Sequence, residues 1–196
     1  GAVLSGRGGA SGIPDYLQMP LGRFLEALSS GEPAPGGGAA AAVSVAMAAG
    51  LAAMAARLSS AGELAERADA LREEVAPLAR ADAEAFGRVL AAYRLPRGSE
   101  GRRERIEEAL GEAAGVPLEM ARIGAEVCRL AGRLALEGNP NLKGDAVAGA
   151  LLAEAGVRAA AELVEANEPE GERALEARRF VEAARRAREK MAQGGG

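Results

Sequence analysis

From Gly36 to Ser59 the chain reads GGGAAAAVSVAMAAGLAAMAARLS, and no charged side chain occurs in it before Arg57. Ala and Gly carry most of the stretch, with Val43, Val45, Met47, Leu51 and Met54 among the few larger side chains. An uncharged run of this length raises a membrane-spanning reading. Its side chains are too small for that, and a helix without a polar face is expected to lie buried in a bundle or an oligomer. Gly38, Ala42, Ala46 and Gly50 recur at every fourth residue. That row lets a partner helix approach closely, across a dimer interface for example.

Outward from this helix the same helical texture continues. Upstream, Leu21, Phe24, Leu25 and Leu28 share one helix face, with Pro20 at the helix start, and Ser29 to Pro35 is a loop. Downstream, Leu64, Ala68, Leu71, Val75 and Leu78 form a seam on a helix expected from about Glu63 to Tyr93, kinked at Pro77. The seam resumes at Ala85 and Val89, with Asp82 where an apolar residue is expected. A fourth helix is expected from Glu100 to Leu136, interrupted at Pro117, with Ile106, Leu110, Ala113, Met120, Val127, Ala131 and Leu134 as its seam. A fifth runs from Leu142 to Asn167 with Ala148, Leu152, Ala155 and Ala159 on its apolar face, the face that also carries Asp145. A sixth, from Gly171 to Met191, is dense in Glu and Arg, with Arg178–Glu182, Glu182–Arg186 and Arg185–Glu189 spaced for pairing.

The fold class predicted is therefore all-α: an antiparallel multi-helix bundle of about six helices. Residues 1–14 read as a loose Gly- and Ser-rich leader and residues 15–193 as a single helical domain. With 196 residues, two Tyr, three Phe and no Trp, the chain has length for a sizeable core but little material for a sheet. The net charge of −4 does not favour nucleic acid. The single cysteine, Cys128, excludes an intrachain disulfide and points to a reducing, cytoplasmic setting. The absence of histidine excludes a Ser-His-Asp triad, a Cys-His pair and any His-ligated metal. Acid–base chemistry must come from Asp, Glu, Lys, Tyr or Cys, or from a bound cofactor.

Three features are candidates for chemistry. Gly36, Gly37 and Gly38 open a helix whose first N–H groups are free to meet an anion or a carbonyl. A flexible turn explains them equally well. Asp82 is an acid on an apolar seam, where acids are rare; an exposed residue beside the kink is the alternative. Asn139-Pro140-Asn141 is followed by Asp145. Asn141 as a helix cap and Asp145 in the first turn explain that group by local helix physics alone.

Taken in order, these stretches resemble the cyclodeaminase/cyclohydrolase family of folate one-carbon metabolism. The resemblance runs from about Leu17 to Ala192. Its strongest part is the segment from Phe24 to Gly38 with the Ala-rich helix behind it. Asp82-Ala83-Glu84-Ala85-Phe86, Leu95-Pro96, Val116-Pro117-Leu118 and Gly138-Asn139-Pro140-Asn141 follow as later landmarks. The resemblance implies an all-helical homodimer acting on a tetrahydrofolate derivative, with no cofactor beyond that substrate, no metal, no nucleic acid and no membrane. It implies one of two reactions: closure of 5-formiminotetrahydrofolate to the 5,10-methenyl compound with loss of ammonia, or water addition to the methenyl compound to give 10-formyltetrahydrofolate.

In that setting Asp145 is the expected principal acid/base and Asp82 the electrostatic partner of the cationic bridge, although their roles are exchangeable. Gly36, Gly37 and Gly38 are expected to shape the pterin pocket, and Asn139 or Asn141 to bond the ring. The sequence departs from the family pattern at Ala39, at Gly144 and in Glu162–Asn167, where hydroxyl and amide side chains are replaced. Those departures leave open an alternative, a family member without activity that serves as a dimeric binding or scaffold subunit.

Overall fold

The computed structural model describes residues 12–194. Most of the expected leader, and the last two glycines, lie outside them. Of the leader's described residues, Ile13 packs against the core. Seven α-helices follow a short 3-10 turn at Tyr16–Gln18: α1 (Leu21–Leu28), α2 (Gly37–Leu58), α3 (Gly62–Val75), α4 (Leu78–Tyr93), α5 (Arg102–Glu137), α6 (Lys143–Asn167) and α7 (Glu172–Gln193). Among the described residues no strand occurs.

Each of the six predicted stretches is helical, and the third is divided at Ala76 and Pro77 into α3 and α4. The backbone keeps helical angles through both residues. Pro77 has no N–H to give, so the division is a break in hydrogen bonding that tighter bonds onto Ala76 and Pro77 carry across. The interruption expected at Pro117 is absent, and α5 continues through it. Pro117 is buried, and α5 packs along α4, α6 and α7, so tertiary contact outweighs one lost helical bond.

The uncharged helix α2 is the centre of the bundle, contacted by α3, α4, α5 and α6. It is long and apolar enough to cross a membrane, with mean hydropathy 1.9, yet its small side chains are mostly packed inside the protein. Glycines set the closest approaches. A Cβ on Gly156 would lie 2.5 Å from Val45 Cγ2, one on Gly149 would lie 3.2 Å from the Ala48 carbonyl, and one on Gly124 would lie 2.6 Å from Val157 Cγ2. Thus α2, α5 and α6 meet where their side chains are smallest, and Val45, Val157, Met120 and Ile123 fill the space around them. The row on α2 is used within the chain: Gly38 meets α4 and Gly50 meets α3.

The expected apolar face of α6 is not the buried one. Ala148, Ala155 and Ala159 are exposed and Leu152 is half-buried, whereas Ala146, Gly149, Ala150, Ala153, Gly156, Val157, Ala160 and Val164 face inward. Two of the inward positions are glycines, which carry no apolar signal but let α2 come close. Asp145 is half-buried at the edge of the inward face, one turn before Gly149. The pairs expected along α7 also differ. Arg185 does pair with Glu189 at 2.8 Å, but it takes Glu182 as well, and Arg178 reaches across to Glu165 on α6.

Candidate functional site

A cleft of about 260 Å³ opens at the N-terminal end of α2. Pro33, Ala34 and Gly36–Gly38 form one wall, Asp82, Ala83 and Phe86 of α4 a second, and Leu163, Ala166 and Asn167 of α6 a third, with Ala113 of α5 also in the lining. The peptide bond between Ala34 and Pro35 is cis.

The glycines are there for space. A Cβ on Gly38 would collide with the Asp82 carboxyl, so only glycine lets that acid lie against the start of α2. Gly37 faces Leu163, whose Cδ2 lies 3.9 Å from the position a Cβ would take. Gly36 caps α2 without a side chain, and its carbonyl accepts the first helical bond, from Ala40. The N–H groups of Gly37, Gly38 and Ala39 thus precede any helical acceptor, as at every helix start.

Asp82 is half-buried, and burial pushes its carboxyl above the ordinary value of 3.8. Among the described residues no cation offsets this: neither a salt bridge nor a hydrogen bond to a side chain contributes. The acid is thus desolvated, without a partner among the described residues, and open to the cleft. Phe86, one turn further along α4, is 40% exposed and gives the cleft a flat apolar surface. Asn167 is fixed by its own helix, its Nδ2 donating to the Leu163 carbonyl at 2.8 Å. Tyr16 packs edge-on against Phe24, with ring centres 5.8 Å apart. Burial raises its phenol, and the charge of Asp82 raises it further, so the ring lies within electrostatic reach of that acid.

Of the residues singled out from sequence, Gly36, Gly37, Gly38 and Asp82 come together here. Asn139, Asn141 and Asp145 do not. They lie at the other end of α2, about 30 Å away by the helical rise between Gly38 and Leu58. There the Asn139 N–H donates to Ser59 Oγ at 2.8 Å, its Nδ2 donates to the Leu58 carbonyl at 3.2 Å, and its Oδ1 accepts from the Asn141 N–H at 3.0 Å. Asn139, not Asn141, is the capping residue, and it caps the 3-10 turn Pro140–Leu142. Asp145 sits half-buried in the first turn of α6. Within one chain Asp145 and Asp82 share no site.

Sequence reasoning gave no role in the site to Phe86, Leu163, Asn167 or Tyr16, although Phe86 lies in a landmark stretch and Leu163 and Asn167 lie in the stretch that departs from the family pattern. Helical spacing signals the first, four residues after Asp82. The family pattern alone draws attention to Leu163 and Asn167, and nothing local signals Tyr16, because their approach to Asp82 depends on how distant segments pack. Of the departures from the family pattern, Ala39, Gly144 and Glu162 lie outside the cleft lining, whereas Leu163, Ala166 and Asn167 of the Glu162–Asn167 stretch are part of it. Ala39 is wholly buried, Gly144 has open space where a side chain would be, and Glu162 faces a groove beside α7.

The arrangement offers a short slot with a flat aromatic wall, a loop that admits close approach, and a base held above its usual range. It suits a flat, partly cationic ring system whose charge the carboxylate stabilises. Comparison with known proteins points the same way. The family described as formiminotransferase-cyclodeaminase matches residues 20–190. The methenyltetrahydrofolate cyclohydrolase of Methylorubrum extorquens is 38% identical, over 70% of this chain and 74% of that protein. The formimidoyltransferase-cyclodeaminase of Sus scrofa is 32% identical over 72% of this chain, which spans 29% of that longer protein. The crystal structure of a formiminotetrahydrofolate cyclodeaminase from Thermotoga maritima superposes with a TM-score of 0.73 at 26% identity, covering 91% of this chain and 92% of that one.

Proposed function

Because the chain belongs to the formiminotransferase-cyclodeaminase family, we propose that the Asp82 cleft opens or closes the methenyl bridge of a tetrahydrofolate derivative. The protein is an enzyme of folate one-carbon chemistry. The higher identity to a cyclohydrolase favours water addition as its reaction. The observation that carries the site assignment is the Asp82 carboxyl, desolvated against Gly38 and without a partner among the described residues.

In this reading the cationic bridge stacks over Phe86 beside the glycine loop. The Asp82 carboxylate stabilises its charge and takes a proton from the attacking water as the new C–O bond forms. The same proton returns to the departing ring nitrogen as the C–N bond breaks, and the remaining hydroxyl proton is released to solvent as the C=O bond forms, leaving the formyl group on the other nitrogen. In the cyclodeaminase direction the proton leaves with ammonia. No further cofactor enters either step. Asp82 thus takes the principal role that the sequence offered to Asp145, which lies at the far end of α2.

We also propose a homodimer in a cytoplasmic setting. Met47 on α2 and Leu151 on α6 are 50% and 48% exposed, on two helices that pack together. A second copy of the chain would cover them. Sedimentation of the purified protein tests this, with a dimer expected and a monomer at micromolar concentration opposing it.

The reaction is tested by mixing the protein with 5,10-methenyltetrahydrofolate and following its near-ultraviolet absorbance. Loss faster than the uncatalysed rate is expected. No acceleration there, together with none of ring closure from the formimino compound, would overturn the reading in favour of the scaffold alternative.

A further inference from the structure

The arginines of α7 are sorted by the fold into two sets. Arg178 pairs with Glu165, Arg185 with Glu182 and Glu189, and Arg188 with Glu154. Arg179, Arg186 and Lys190 are exposed and face a different side, a groove of about 600 Å³ between α7 and α5. Across it stand Arg129 and Arg133. Of these five cations only Arg133 forms an ion pair among the described residues, with Glu137 at 2.7 Å, and Glu137 is the only acid in the lining. On a chain of net charge −4, this groove carries a local positive excess.

The floor is apolar. Gly132 lets α7 approach closely, a Cβ there lying 3.4 Å from the Ala187 carbonyl, and Ala183 and Leu136 complete the surface. From Arg179 to Lys190 the cations extend about 16 Å along α7. The groove is separate from the Asp82 cleft: both touch α5, at Gly132 and at Ala113, about 28 Å apart along the helix.

We propose that this groove is a second ligand site that takes a small, multiply charged anion, a di- or triphosphate chain either free or carried on a nucleoside. Guanidinium forks match phosphate oxygens two at a time, and several cations in excess of one acid call for an anion of comparable charge density. A single carboxylate would leave most of them unpaired. The apolar floor gives a nucleoside body something to rest on.

Calorimetric titration with inorganic tripolyphosphate tests the site at fixed ionic strength. The wild-type protein should bind. The triple variant Arg179→Ala, Arg186→Ala, Lys190→Ala should bind at least about tenfold more weakly. The double variant Arg178→Ala, Arg185→Ala, which alters only arginines held in ion pairs, should change affinity by less than about twofold. Circular dichroism should show all three equally helical, and the triple variant should keep wild-type turnover of the methenyl compound. ATP in EDTA separates the two sources: tighter binding than tripolyphosphate assigns a nucleoside-borne chain, and equal or weaker binding assigns the free one. No binding by the wild type, or equal weakening in both variants, overturns the proposal.

Discussion

The two ends of α2 use polar groups in opposite ways. At its C-terminal end, Ser59, Asn139 and Asn141 satisfy one another, and the connection between α5 and α6 is thereby tied to the central helix. At its N-terminal end, Asp82 is half-buried, bonded to no other side chain among the described residues, and made a weaker acid by burial. A satisfied polar cluster stabilises and needs no further explanation. A desolvated acid without a partner works against the fold and persists where chemistry requires it. On the proposed reading, the contrast separates structural from catalytic residues where residue type alone did not.

Substitutions at the two ends sharpen that contrast. The largest stability effect is expected from Gly38→Ala, because the added methyl meets the Asp82 carboxyl where neither helix can yield freely. A loss of about 1–3 kcal/mol, with turnover largely abolished, is expected from denaturant unfolding and the absorbance assay. Ser59→Ala at the opposite end strands the Asn139 N–H and should cost about 1 kcal/mol while turnover stays near wild type. A large fall in turnover there would erase the distinction between the two ends.

The smallest effect has the opposite sign. Folding raises the carboxyl of Asp82, so the folded chain holds that proton more tightly than the unfolded chain. Its stabilising contribution is present in acid and is lost as pH rises above about 3.8 and through the raised value. At neutral pH the ionised acid is a net cost. Asp82→Asn should therefore raise Tm at pH 7 by roughly 1–4 °C, and the gain should vanish near pH 3. A fall in Tm at pH 7 would mean that the carboxylate is held by a favourable partner.

Much of this was readable from the chain. The bounds of α2 follow from a glycine triplet at one end and the first charge, Arg57, at the other. Asp82 stood out because an acid on an apolar seam is anomalous, and the structure places it in a cleft. The inward face of α6 was misread because Gly149 and Gly156 make its closest contacts and add nothing to an apolar pattern. The separation of Asp145 from Asp82 was not legible at all. It depends on which end of α2 the α5–α6 connection is tied to, and that tie runs between Ser59 and Asn139, distant in sequence. The sorting of the α7 arginines was hidden for the same reason, since Glu154 and Glu165 belong to another helix.

The central claim is that Asp82, and not Asp145, carries the chemistry. The direct measurement is kcat on 5,10-methenyltetrahydrofolate for Asp82→Asn and Asp145→Asn side by side, with folding of each confirmed by circular dichroism. Asp82→Asn is expected to lower kcat at least about 100-fold, and Asp145→Asn to change it by no more than about twofold. Loss of activity in Asp145→Asn with activity retained in Asp82→Asn would contradict the assignment and move the chemistry to the opposite end of α2.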